Sequence, residues 1–117
     1  MDNLTETITD QIGSFALMMI GASTPEPTTN ADGITFTAHM IGTNDDGTRA
    51  SRPRYMTVTI VLDINDTYIV EITHPGDHGP VTHFRATEVY AHQLEDLLIG
   101  VERGTLTGNH GARPTLR

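Results

Sequence analysis

Residues 56–64 read "MTVTIVLDI", and in them Met56, Val58, Ile60, Leu62 and Ile64 alternate with Thr57, Thr59, Val61 and Asp63. A helix repeats every 3.6 residues and would scatter these apolar side chains around its axis, whereas a strand sends successive side chains to opposite faces of a sheet. One face of this segment belongs against a core. The other carries hydroxyls on β-branched side chains and suits a half-wet sheet surface.

The same period recurs on both sides. Ile34, Phe36, Ala38 and Met40 alternate with Thr35, Thr37 and His39, which predicts a strand before the long polar hairpin connection "TNDDGTRASRPR". Asn65-Asp66 is a tight-turn pair, after which Tyr68, Val70 and Ile72 continue the apolar face on a third strand. "VTHFRA", residues 81–86, predicts a short fourth strand with Phe84 inward and His83 and Arg85 outward. Residues 34–86 therefore read as a four-stranded antiparallel meander.

Helical spacing flanks it. Leu4, Ile8, Ile12, Phe15 and Met19 recur at three- and four-residue steps and predict a helix over residues 1–21, ending near Gly21. Leu17, Met18 and Ile20 lie off that stripe, so this end is either sunk into its own core or covered by another subunit. Residues 22–33, with two prolines, read as an extended connector. Thr87 can cap a second helix over residues 87–103, with Tyr90, Leu94, Leu97, Leu98 and Val101 as its stripe and Gly104 as its stop, and residues 105–117 read as a loose tail. At 117 residues the chain fits one domain, 1–117, able to bury roughly two-thirds of its unfolded surface. The expected fold is α+β: an N-terminal helix, the four-stranded sheet and a C-terminal helix, with both helices on one sheet face.

The other face should then be open. It would carry Thr35, Thr37, His39, Ile41, Thr57, Thr59, Val61, Ile69, Glu71, His83 and Arg85. Ile41, Val61 and Ile69 interrupt the polar pattern and could form an apolar island, as on a face that receives a partner.

Composition narrows the chemistry. Fifteen acidic residues against seven arginines give a formal charge of −8, which repels nucleic-acid backbones. With no lysine, a phosphate-loop lysine and a Schiff-base lysine are excluded, and with no cysteine so are thiolate nucleophiles, iron–sulfur ligation and disulfides. Arginine used to the exclusion of lysine is what a GC-rich genome gives, which suits an actinobacterial or actinophage source. Met1 to Glu6 is acidic where a secretory signal would be basic, and the apolar run from Phe15 to Ala22 is far short of the ~20 residues that span a bilayer, so a cytoplasmic protein is expected without membrane partners.

Two clusters could carry chemistry. Arg49, Arg52 and Arg54 place three of the seven arginines within six positions, and guanidinium forks grip phosphates and carboxylates in a bidentate way. Against that, the same arginines could simply neutralise Asp45 and Asp46 beside them. In "THPGDHGPVTH", His74, Asp77, His78 and His83 could gather around a metal, although Pro75 and Gly76 forbid the helical geometry that a four-residue His spacing serves in zinc enzymes. The plain alternative is a strand-connecting loop. Only Ser14, Ser23 and Ser51 could serve as serine nucleophiles, and none lies in a G-x-S-x-G elbow.

Three functions remain open on these grounds. The first is an acidic binding or regulatory protein, a homodimer or larger homo-oligomer, that docks on a protein partner through an interaction face including Thr37, His39, Ile41, Thr59, Val61, Ile69 and Arg85. It would need no cofactor. The second is a protein that binds a nucleotide or other anionic small molecule with Arg49, Arg52 and Arg54. The third is a metal-dependent enzyme built on the histidines of residues 73–83.

Overall fold

A computed structural model describes residues 3–29, 32–41, 51–103 and 108–110. Two helical segments, α1 (Asn3–Ile12) and α2 (Ser14–Met19), come first. Five antiparallel strands follow in chain order: β1 (Glu26–Pro27), β2 (Gly33–Met40), β3 (Arg54–Leu62), β4 (Tyr68–Gly76) and β5 (Gly79–Val89). Helix α3 (Leu94–Arg103) returns across the sheet, and a short sixth strand, β6 (Gly108–His110), lies parallel to β5 at the far edge.

The α+β class holds, and the period-two reading holds as far as Leu62; Ile64 does not continue the inward face but lies in the turn after β3, 77% exposed. Ile34, Phe36, Ala38 and Met40 of β2, Met56, Val58 and Ile60 of β3, Tyr68, Val70 and Ile72 of β4, and Phe84 and Ala86 of β5 are buried in one core. Ile8 and Ile12 of α1, Ala16 of α2 and Leu94, Leu97, Leu98 and Val101 of α3 fill the other side of that core. The connection is longer than a two-residue turn: residues 63–67 join β3 to β4, with Asn65 and Asp66 at positive φ, 65° and 59°, and Asp63 N donating to Thr67 O at 2.7 Å across the three residues between them.

Several boundaries differ from expectation, each for a physical reason. The N-terminal helix is broken at Gly13, whose φ of 88° lies outside the helical region and is reached readily only by glycine. The buried line therefore runs Ile8, Ile12, Ala16, Ile20, and Phe15 and Met19 face outward instead of inward. The sheet has five antiparallel strands, not four, because the extended connector joins it. His39 N donates to Ile20 O, Ser23 N to Thr37 O and Thr28 N to Gly33 O, so residues 20–28 run along the outer side of β2 and pair what would be an exposed edge. Thr87 does not cap a helix. Strand β5 continues to Val89, which stands opposite Tyr68, across a bulge where Glu88 takes a φ of 55°. The turn Ala91–Gln93 then leads into α3, with Tyr90 N held by Gln93 Oε1 at 2.9 Å. Strand β6 falls within the expected tail, while Gly104 lies outside the described residues.

Candidate functional site

The strand registers place two surfaces. On the face away from the helices, Thr37, Thr57, Thr73 and Thr82 stand opposite one another in a single row across β2, β3, β4 and β5. The next row is Thr35, Thr59, Glu71 and Arg85. Arg85 Nε approaches Glu71 Oε2 at 3.8 Å, a long and partly exposed pair worth well under 1 kcal/mol. His39 stands opposite Tyr55, and their rings stack at 4.4 Å and 14°. Tyr55 is nevertheless 66% exposed, so the stack presents an aromatic plate to solvent.

Of the expected interaction residues, Thr37 and His39 are exposed, and Thr59, Val61, Ile69 and Arg85 are half-buried on this face. Val61 lies directly opposite Ile69. Ile41 does not join them. It follows the last residue of β2, whereas Val61 stands opposite Gly33, the first, so the two lie at opposite ends of the strand. The Ile41 backbone N–H is instead bound by Glu102 Oε2 of α3 at 3.0 Å. Tyr55, Thr73 and Thr82 were missed. Tyr55 shares the parity of Thr57 and Thr59, which is the signal that would have found it.

The second surface lies at one end of the sheet. Hairpins β2–β3 and β4–β5 turn at the same end, and the β3–β4 pairing stops at Thr57 and Thr73, so the two arms part beyond that rung. A cleft of about 260 Å³ lies there, lined by Thr57 of β3 and by Thr73, His74, Pro75, Gly76, Gly79 and Pro80 of the β4–β5 hairpin. Gly76 is required by close packing within its hairpin: a Cβ at that position would sit 2.5 Å from Val81 Cγ2.

The histidine loop is thus mostly a hairpin, with β4 running to Gly76, a turn at Asp77 and His78, and β5 beginning at Gly79. His74 and His83 face each other edge-on with ring centroids 6.1 Å apart, while Asp77 and His78 are exposed at the tip. Among the described residues no three His, Asp or Glu side chains gather closely enough to hold a metal, so these four are not brought together as ligands.

The arginine cluster is also divided. Arg49 lies outside the described residues, and Arg52 is exposed in the bend before β3. Arg54 opens β3, and its Nη1 lies 3.4 Å from His74 Nε2. The His74 Nδ1 is 3.1 Å from the Pro75 carbonyl oxygen. If Nδ1 donates to that carbonyl, Nε2 carries the lone pair and accepts from the guanidinium. Members of two separate sequence clusters therefore meet here, although of the two only His74 lines the cleft.

No helix among the described residues is long and apolar enough to cross a membrane. Compared with known proteins, the chain matches no protein family, no curated protein and no solved structure.

Proposed function

We propose that this is a binding protein that docks a protein partner on the open face of its sheet and pairs with a second copy of itself through α2. The observation that carries the first part is the composition of the face: rows of threonine, the Val61–Ile69 pair and the exposed His39–Tyr55 plate. Aromatic and aliphatic anchors within a polar surround are the make-up of a transient interface, and tyrosine supplies contact area at little entropic cost. The charge of −8 favours a partner with a basic rim and a salt-sensitive encounter.

The self-association part rests on α2. Phe15 is 53% and Met18 is 70% exposed there. Residues 11–25 contain no charged side chain, so two copies of an acidic chain can meet at this segment with little like-charge repulsion.

Affinity capture from extracts of the native host tests the docking face. The expected result is a partner retained by wild-type and Met18→Asp baits and lost by Tyr55→Glu and Thr37→Arg baits. A set of captured proteins that does not change across all four baits contradicts it.

A further inference from the structure

The cleft where the hairpins part is continuous with the open sheet face. Thr57 and Thr73, opposite each other on the last paired rung of β3 and β4, belong to the row of four threonines that crosses that face, and both line the cleft. Tyr55 follows Thr57 on the same side of β3, so the exposed His39–Tyr55 plate lies one pleat away from the cleft's β3 wall.

The lining decides what can enter. Of its seven residues His74 alone is titratable, and the ring nitrogens of His74 already lie 3.4 Å from Arg54 Nη1 and 3.1 Å from the Pro75 carbonyl oxygen. A charged group would therefore lose its water here without gaining a counter-charge. Pro75 and Pro80, directly opposite in the β4–β5 register, supply two apolar rings and no backbone N–H. Gly76 and Gly79 put no side chain over the cleft, and a Cβ placed at Gly79 would meet nothing within 4 Å, so that side is open to an incoming chain. A volume of about 260 Å³ falls short of the roughly 300–1,000 Å³ of small-molecule pockets and suits one large side chain. The hydroxyls of Thr57 and Thr73 match an aromatic ring with a polar edge, an indole N–H or a phenol O–H, better than a purely aliphatic group. Tryptophan and tyrosine are also the side chains that most often anchor an interface.

We propose that this cleft is the anchor pocket of the docking face and receives one tryptophan or tyrosine side chain of the protein partner, its ring against Pro75 and Pro80 and its polar edge toward Thr57 and Thr73. The inference rests on the docking reading above, and its test separates the two.

N-acetyltryptophanamide, N-acetyltyrosinamide, N-acetylleucinamide and indole-3-acetate are titrated into the full-length protein and followed by amide NMR. The two aromatic amides are expected to give saturable shifts centred on Thr57, Thr73, Gly76 and Gly79 at millimolar concentration, with weaker binding of the leucine amide and of the anionic indole. Thr57→Phe, which sets a ring of the protein's own at the cleft, should abolish the shifts. Pro80→Ala should weaken binding about fivefold, the loss of roughly 40 Å² of apolar contact at ~25 cal/mol per Å². As capture baits, Thr57→Phe and Tyr55→Glu should both lose the partner. Absence of saturable shifts with either aromatic amide, equal binding of the leucine amide or of indole-3-acetate, or native affinity in both variants would overturn the pocket. Loss of the partner from the Tyr55→Glu bait alone would also overturn it, and would leave the docking face standing.

Discussion

Tyr68 shows how one polar atom is accommodated in this core. Its ring is buried in β4, and its hydroxyl donates to Gln11 Oε1 of α1 at 2.7 Å. Burial pushes its pKa above the ordinary 10.0, and Asp66 adds a smaller upward push. A raised acid pKa means that the unfolded chain ionises first as pH climbs past 10, so this residue's contribution to stability is complete below that pH and is lost above it. An absorbance titration of the three tyrosines should show one that ionises late, and Tyr68→Phe should remove it while costing about 1 kcal/mol at neutral pH. A late component that survives Tyr68→Phe would contradict the assignment. Residue identity made the inward Tyr68 and the outward threonines legible, because parity along a strand is a local property. The Arg54–His74 contact was not legible: it joins positions 20 residues apart, beyond the last paired rung of β3 and β4, where long side chains meet across two strands that are neighbours only in the fold.

Elements with a strong side-chain period were readable, and those built from backbone bonds were not. Strands β2, β3 and β4 carry alternation over several residues and lie close to where it places them. The segment that covers the β2 edge has no such period, since it is held by main-chain groups of Ile20, Ser23 and Thr28 that every sequence possesses. Helix α2 shows the opposite failure. Its apolar spacing is clear, but Gly13 breaks the helix, so Phe15 and Met19 extend the wrong stripe. The resulting exposure of Phe15 and Met18 leads to the dimer prediction. Sedimentation should find a dimer at micromolar concentration that Met18→Asp converts to a folded monomer, since that side chain is mostly outside the core. A wild-type monomer under the same conditions, or a dimer that persists in the variant, would refute this role for α2.

At the level of the whole molecule, the chain divides its surface. The helices and the inner sheet face consume most of the large aliphatic side chains, and the edge of β2 is paired by the connector. What remains is an uncharged helix tip, a hydroxyl-rich sheet face with one aromatic plate, and a small cleft where the hairpins separate. Docking on that sheet face requires it to be bare in the free protein. Because the chain has no cysteine, a thiol introduced at Thr37, at Thr57 or, as the buried reference, at Val58 is the only reactive sulfhydryl in its variant. The rate of thiol labelling under native conditions then reports directly which face is covered. Rapid labelling at Thr37→Cys and Thr57→Cys, with Val58→Cys protected until the protein unfolds, is the predicted result; protection of the two threonine positions to the same degree as Val58 would contradict it.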